Sequence, residues 1–170
     1  DRNVLLHYSQ VAGSIQVGQE VEVFLHHDTQ DRLAATMKRP LLAYGEVKVL
    51  KVADVHPRLG CFLDIGLDRH LLLPAGELPD DPELRPQVGD EVPAMMKRDR
   101  QGRLIAAVAG EKELASLVFA APTVWKNRWV DCTVYKPLKM GTFVLCDGGV
   151  VGFGVLGFIH ASERKRPLRL

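Results

Sequence analysis

One segment of the chain occurs twice. Val17-Gly18-Gln19-Glu20-Val21 returns as Val88-Gly89-Asp90-Glu91-Val92, an offset of 71 residues, and Asp28 and Arg32-Leu33 return as Asp99 and Arg103-Leu104 at the same offset. Gapless identities over that length mark an internal repeat, so the fold must be built from copies of one small unit. A second pattern also recurs. Gly60–Leu78 reads as two short apolar strands, Cys61–Ile65 and His70–Leu73, with Asp68-Arg69 as a tight turn between them. Its relatives are Gly141–Leu145 and then Gly157–Arg164.

Between these marks the chain alternates apolar and polar residues with the period of half-buried strands. Asn3–His7 reads as a short strand, Glu20–Leu25 and Arg32–Thr36 as a hairpin, and Gly45–Val55 as a strand that leads into the Gly60–Leu73 hairpin. Pro79, Pro82 and Pro86 make Glu77–Pro86 a loop with one helical turn at most. Val88–Met96 and Arg103–Val108 form the hairpin that closes the unit, and Trp129–Tyr135 opens another. Glu111–Ala121 is the one helical segment, with Leu114, Leu117 and Val118 on one face and Pro122 to stop it.

A complete unit is therefore strand, hairpin, Pro-rich crossing, hairpin: five short strands, the number and order of an OB barrel. The expected fold is all-β, with serial five-stranded OB barrels of which only the middle one is complete, and one short linker helix. Residues 1–40 supply the C-terminal part of a first unit, 41–110 a whole barrel, 111–124 the linker, and 125–170 the N-terminal part of a third. The chain reads as cut from a longer protein. Its partial units have three possible fates: disorder, packing on the middle barrel, or mutual completion, in which Glu20–Thr36 pairs with Trp129–Val144.

Apolar residues make up 46% of the chain, enough for real cores, and no apolar run approaches the length of a membrane span. Cys61, Cys132 and Cys146 match neither a zinc spacing nor a disulfide framework, so they read as small core residues in a reducing cytoplasm. The net charge of +1 hides an asymmetry: residues 1–85 hold 9 basic and 13 acidic side chains, residues 86–170 hold 13 and 8. That distribution is compatible with a polyanionic partner on the C-terminal half.

Catalytic signals are weak. Gly152-Phe153-Gly154-Val155-Leu156-Gly157 spells a dinucleotide fingerprint, but no convincing helix follows and no acidic residue stands about twenty positions on. Adjacent side chains on a strand point to opposite faces, so His26-His27-Asp28 is a poor metal site. No P-loop, Gly-x-Ser-x-Gly or nuclease-like carboxylate cluster is present. Neither catalysis nor a cofactor, metal or small-molecule substrate is expected, and no membrane partner.

Gly141-Thr142-Phe143-Val144 followed by Gly157-Phe158-Ile159-His160-Ala161-Ser162-Glu163 resembles the RNA-binding domain of the ribosomal-protein-S1 type, an OB-fold. Gly60–Leu73 with VGDEVPAMMKRD, and VGQEVEVFLHHD before it, more narrowly resembles the CvfB-like family of bacterial proteins, which carry serial S1-type domains and a C-terminal winged helix. The resemblance implies single-stranded RNA as partner, with aromatics on the second strand, a His ending the third, and an Asp–Arg pair on the last hairpin. Carried over, the RNA-binding residues are Phe143, Phe158 and His160 in the third unit; Phe62, Asp99 and Arg103, with Lys97 and Arg98 beside them, in the middle unit; and His7, Asp28 and Arg32 in the first. The middle unit departs from the pattern, with Leu72 for Phe158 and Pro74 for His160. Arg164-Lys165-Arg166 and Arg169 form a basic tail.

The resemblance thus implies a non-catalytic bacterial regulator of gene expression. The competing readings are a protein-interaction scaffold of barrels that have lost RNA contact, and an accessory module of an enzyme.

Overall fold

The computed structural model describes residues 3–146 and 154–170. They form eleven strands: β1 Leu5–Leu6, β2 Phe24–His27, β3 Leu33–Thr36, β4 Val47–His56, β5 Gly60–Leu63, β6 Leu71–Pro74, β7 Glu91–Arg98, β8 Leu104–Val108, β9 Cys132–Pro137, β10 Gly141–Cys146 and β11 Val155–His160. A short helix, α1, spans Glu111–Ala115.

The middle sheet has five strands in the order β6-β5-β4-β7-β8, and β6 lies against β8, which closes it into a barrel. The long β4 bends at an irregularity between Val52 and Asp54, pairing with β7 through its first half and β5 through its second. Alternation aims the core inward. Cys61 and Leu63 of β5 and Leu71 and Leu73 of β6 are buried, while Phe62 and Leu72 face outward. Cys61 is a core residue here, and burial pushes its thiol up.

The two flanking sheets are partial copies. The first has the order β1-β3-β2, with β1 parallel to β3. That parallel contact places β1 as the third and β3 as the fifth strand of an OB barrel. The last sheet, β11-β10-β9, is antiparallel and supplies strands one to three. The two partial sheets do not pair with each other among the described residues, so the completion weighed above does not occur within this chain.

Instead each packs on the middle barrel. The connection of residues 64–70 reaches the first sheet: Asp68 accepts from Gln10 Nε2 at 2.6 Å and from Lys38 Nζ at 2.9 Å, and the Arg69 guanidinium donates to the carbonyls of His27 and Asp28. Phe24 packs on the barrel core. On the other side β9 lies against β7. Tyr135 there shares a cluster with Ala109, Leu114 and Val47. The C-terminal residues return to the barrel as well: Arg169 pairs with Asp90 at 2.9 and 3.0 Å, and Leu170 is buried in the core.

Three local expectations need correction. The central hairpin is joined by residues 64–70, not by a tight Asp68-Arg69 turn, because that segment extends to grip the first sheet. The strand expected at Glu20–Leu25 is found at Phe24–His27. Residues 20–23 match the half of β7 that pairs with β4, and the first sheet has no such partner strand. The helix ends at Ala115 rather than Ala121. Beyond Ser116 the chain turns extended, Val118 bridges Gly154, and the Phe119 N–H donates to the Gly154 carbonyl at 3.1 Å.

Candidate nucleic-acid interface

The third sheet gathers the aromatic residues. Phe143 of β10 stands opposite Phe158 of β11, as Gly141 stands opposite His160. The Phe143 and Phe158 rings are 4.8 Å apart at 52°, and Phe158 meets His160 edge-on at 6.4 Å. Phe158 is 43% exposed. Phe143 is half-buried between Phe158 and Tyr135, whose centroid is 6.1 Å away, and the Lys136 ammonium lies 5.6 Å from its centroid. Tyr135 takes that place through a β-bulge: the register shifts between Phe143 and Val144, so Tyr135 has no counterpart on β10.

Gly141 is needed for the strip. A Cβ there would sit 2.2 Å from Phe158 Cζ and 2.6 Å from the Ile159 carbonyl oxygen, so the ring lies across a strand that offers no side chain. His160 Nδ1 accepts from the Ser162 N–H at 3.2 Å, capping the turn at Ala161–Glu163. His7 does the same for Ser9 at 3.3 Å, capping Tyr8–Gln10. In the neutral form this acceptor role puts the proton on Nε2, which leaves a donor for a ligand acceptor.

The middle barrel repeats the register with different side chains. Phe62 faces Leu72, and Gly60 faces Pro74. It has neither a second ring nor an imidazole at those positions.

Asp28–Arg32 and Asp99–Arg103 have one geometry. In each, the aspartate accepts from the backbone N–H two and four residues on, at 2.8–2.9 Å, and from the arginine Nε at 2.8–2.9 Å. These carboxylates are occupied in closing the hairpin loops, so the loop-spanning ion pair is their observed role. The Arg32 backbone N–H, then its guanidinium, hold Asp28 down at about 2. Desolvation pushes Asp99 up, but the backbone and side-chain hydrogen bonds of Arg103 outweigh it and the carboxyl is lowered.

Because the folded-state value of Asp28 lies below the ordinary value near 3.9, its contribution to stability is full above about pH 4. It fades as the pH falls towards 2. Asp28→Asn therefore melts below the parent at pH 7, and the two melting temperatures converge near pH 2. A difference that persists unchanged to pH 2 refutes the assignment.

Lys97 and Arg98 are exposed at the end of β7. Arg98 lies 6.0 Å from the ring of Tyr44, which is 64% exposed. The sequence reading missed Tyr44. It precedes Gly45 in a turn found three times, at residues 16–19, 43–46 and 87–90, with the glycine at φ of 86°, 87° and 91°. Val17 and Val88 occupy the equivalent place, and only here is the exposed residue a ring beside a guanidinium.

In the dinucleotide-like motif Gly152 and Phe153 lie outside the described residues, and Val155 onward is strand. His26 Nδ1 is engaged with the His27 carbonyl at 3.2 Å. Among the described residues no group of three His, Cys, Asp or Glu could hold a metal, and no helix is long and apolar enough to cross a membrane.

A closed five-stranded barrel of this order is an OB-fold, and the Gly141-Thr142-Phe143 and His160-Ala161-Ser162 elements on the second and third strands of the last sheet are those of the S1 type. Residues 1–38 match the family described as S1 domain, and residues 47–107 that described as CvfB first S1-like domain. The chain belongs to the CvfB-like family of bacterial proteins with serial S1-type domains.

YitL of Bacillus subtilis, named an uncharacterized protein, is 37% identical over 98% of this chain and 54% of its own length. Conserved virulence factor B of Staphylococcus epidermidis is 30% identical over 100% of this chain and 56% of its own. A crystal structure described as a multidomain protein with nucleic acid binding domains, from Streptococcus pneumoniae, superposes with a TM-score of 0.80 at 27% identity, covering 98% of this chain and 57% of that one. The chain spans about half the length of the curated relatives it matches.

Proposed function

We propose that the protein binds single-stranded RNA, without catalysing a reaction on it, through S1-type barrels in series. One observation carries this reading: Phe143, Phe158 and His160 form a continuous strip on the third sheet, with a lysine at its margin. Unpaired bases expose π faces that stack on such rings, and phosphates pair with nearby cations. Lys97, Arg98 and Arg103 of the middle barrel, with Phe62, and His7 and Arg32 of the first unit would extend the path. Asp28 and Asp99 would act by holding their arginines.

In this reading residues 1–40 belong to a first unit, 41–110 to a whole barrel, 111–124 to a linker and 125–170 to a third unit. The relatives' name, Conserved virulence factor B, suggests a part in virulence, and serial S1-type domains fit a regulator of gene expression acting in the bacterial cytoplasm. A winged helix elsewhere in the full-length protein fits the family pattern.

Titration of the chain with homopolymeric RNAs at two salt concentrations tests this. Binding that weakens with salt, and that a duplex RNA of equal length does not match, is the expected result. Absence of binding at low salt refutes it.

A second reading, a protein-interaction scaffold, is favoured by the middle barrel: Leu72 and Pro74 replace the contact residues, and its loops hold both neighbours. A fragment of residues 41–110 is expected to fold and to retain little RNA at physiological salt. Tight, salt-resistant binding by that fragment contradicts the weak role given to the middle barrel.

A further inference from the structure

The three cysteines, unrelated in spacing, are not unrelated in space. Cys132 at the start of β9 stands directly opposite Cys146 at the end of β10. Directly opposed residues of an antiparallel pair have Cα atoms about 4.5–5.5 Å apart, within the range of about 4.4–6.8 Å that a disulfide spans. Both thiols are free. Cys132 Sγ lies 3.7 Å from the Val130 carbonyl oxygen, and its thiol is pushed up to about 12, first by desolvation and then by Cys146. Cys132 is exposed and Cys146 is buried behind it. Cys61 lies apart, in the core of the middle barrel.

We propose that Cys132 and Cys146 form a reversible dithiol–disulfide pair, an oxidation site that staples the edge strand β9 to β10 by exchange with a low-molecular-weight disulfide. The exposed Cys132, as thiolate, attacks one sulfur of the small disulfide and expels a small thiolate, which takes up the proton that Cys132 released. The resulting mixed disulfide stands opposite Cys146. Cys146, as thiolate, then attacks Cys132 Sγ, closes the protein disulfide and expels the second small thiol. The two cysteines lose two protons and two electrons together, and the small disulfide gains them as two thiols. A raised thiol attacks slowly, so the end point rather than the rate is diagnostic. The crosslink fixes the ladder Cys146–Cys132, Leu145–Thr133, Val144–Val134 at the end remote from the bulge. It does not depend on RNA binding.

The native chain is incubated with oxidised glutathione to completion, alkylated and weighed. The expected product is about 2 Da lighter than the reduced chain, from the loss of two hydrogens, with the Cys132 and Cys146 peptides joined and Cys61 alkylated only after denaturation. Dithiothreitol returns it to the starting mass. Cys146→Ser is expected to stop at glutathione on Cys132. A parent chain that ends as a stable mixed disulfide on Cys132 with Cys146 still alkylatable overturns the proposal. So does a crosslink between chains, or the lighter product from Cys146→Ser.

Discussion

Phe158→Ala is expected to lower affinity for single-stranded RNA by about 1–3 kcal/mol, the worth of one stacked base, while the chain stays folded. Phe158 is the exposed ring of the strip, spread over Gly141, and its removal strips no core. Phe143 behaves differently. It is half-buried against Tyr135 and Leu114's cluster, so Phe143→Ala also loosens the contact between the third sheet and the middle barrel. The double substitution loses about 2–6 kcal/mol of binding if each ring stacks a base. A folded Phe158→Ala chain with unchanged RNA affinity removes the aromatic strip from the binding surface. A variant that melts before it can be titrated assigns the ring to packing instead.

Gly60→Ala is expected to destabilise the middle barrel by about 3 kcal/mol or more, as overpacking and backbone strain add. Gly60 has φ of 123°, and a Cβ there would sit 2.1 Å from the Leu73 carbonyl oxygen and 2.7 Å from the Ala75 nitrogen. Both neighbours are backbone, one in β6 and the other in the turn that follows it directly, so neither can rotate aside. Its ladder partner is Pro74, which closes the sheet at that corner. Urea unfolding of the parent and variant chains measures the difference. Equal midpoints show that the corner relaxes and that the close approach is not required.

The repeat at offset 71 was the most legible feature. It reads out as the same glycine turn at residues 16–19 and 87–90 and the same Asp–Arg loop closure at Asp28 and Asp99. Local chemistry determines both, so sequence reveals them. The motif singled out Phe143 and Phe158, while their place opposite each other across β10 and β11 comes from the register.

What was hidden depends on partners distant in the chain. Residues 20–23 alternate like a strand and form none, because a ladder needs a neighbour. Leu117 and Val118 lie on the helical face by spacing, yet Val118 bridges Gly154. Tyr44 gives no periodic signal because a turn displays it. The meeting of Cys132 and Cys146 follows from the register of β9 on β10, which spacing alone does not fix.

The hold of the middle barrel on the first sheet bears on how any RNA titration is interpreted. Lys38 and Asp68 form an exposed ion pair at 2.9 Å across that joint. Exposed pairs are screened as ionic strength rises. In the proposed RNA complex added salt thus acts twice, on the phosphate contacts and on the ion pair between the middle barrel and the first sheet. The slope of affinity against salt then carries any contribution of that pair beside the phosphates neutralised. Lys38→Met, which leaves that joint without its ion pair at every ionic strength, would separate the two.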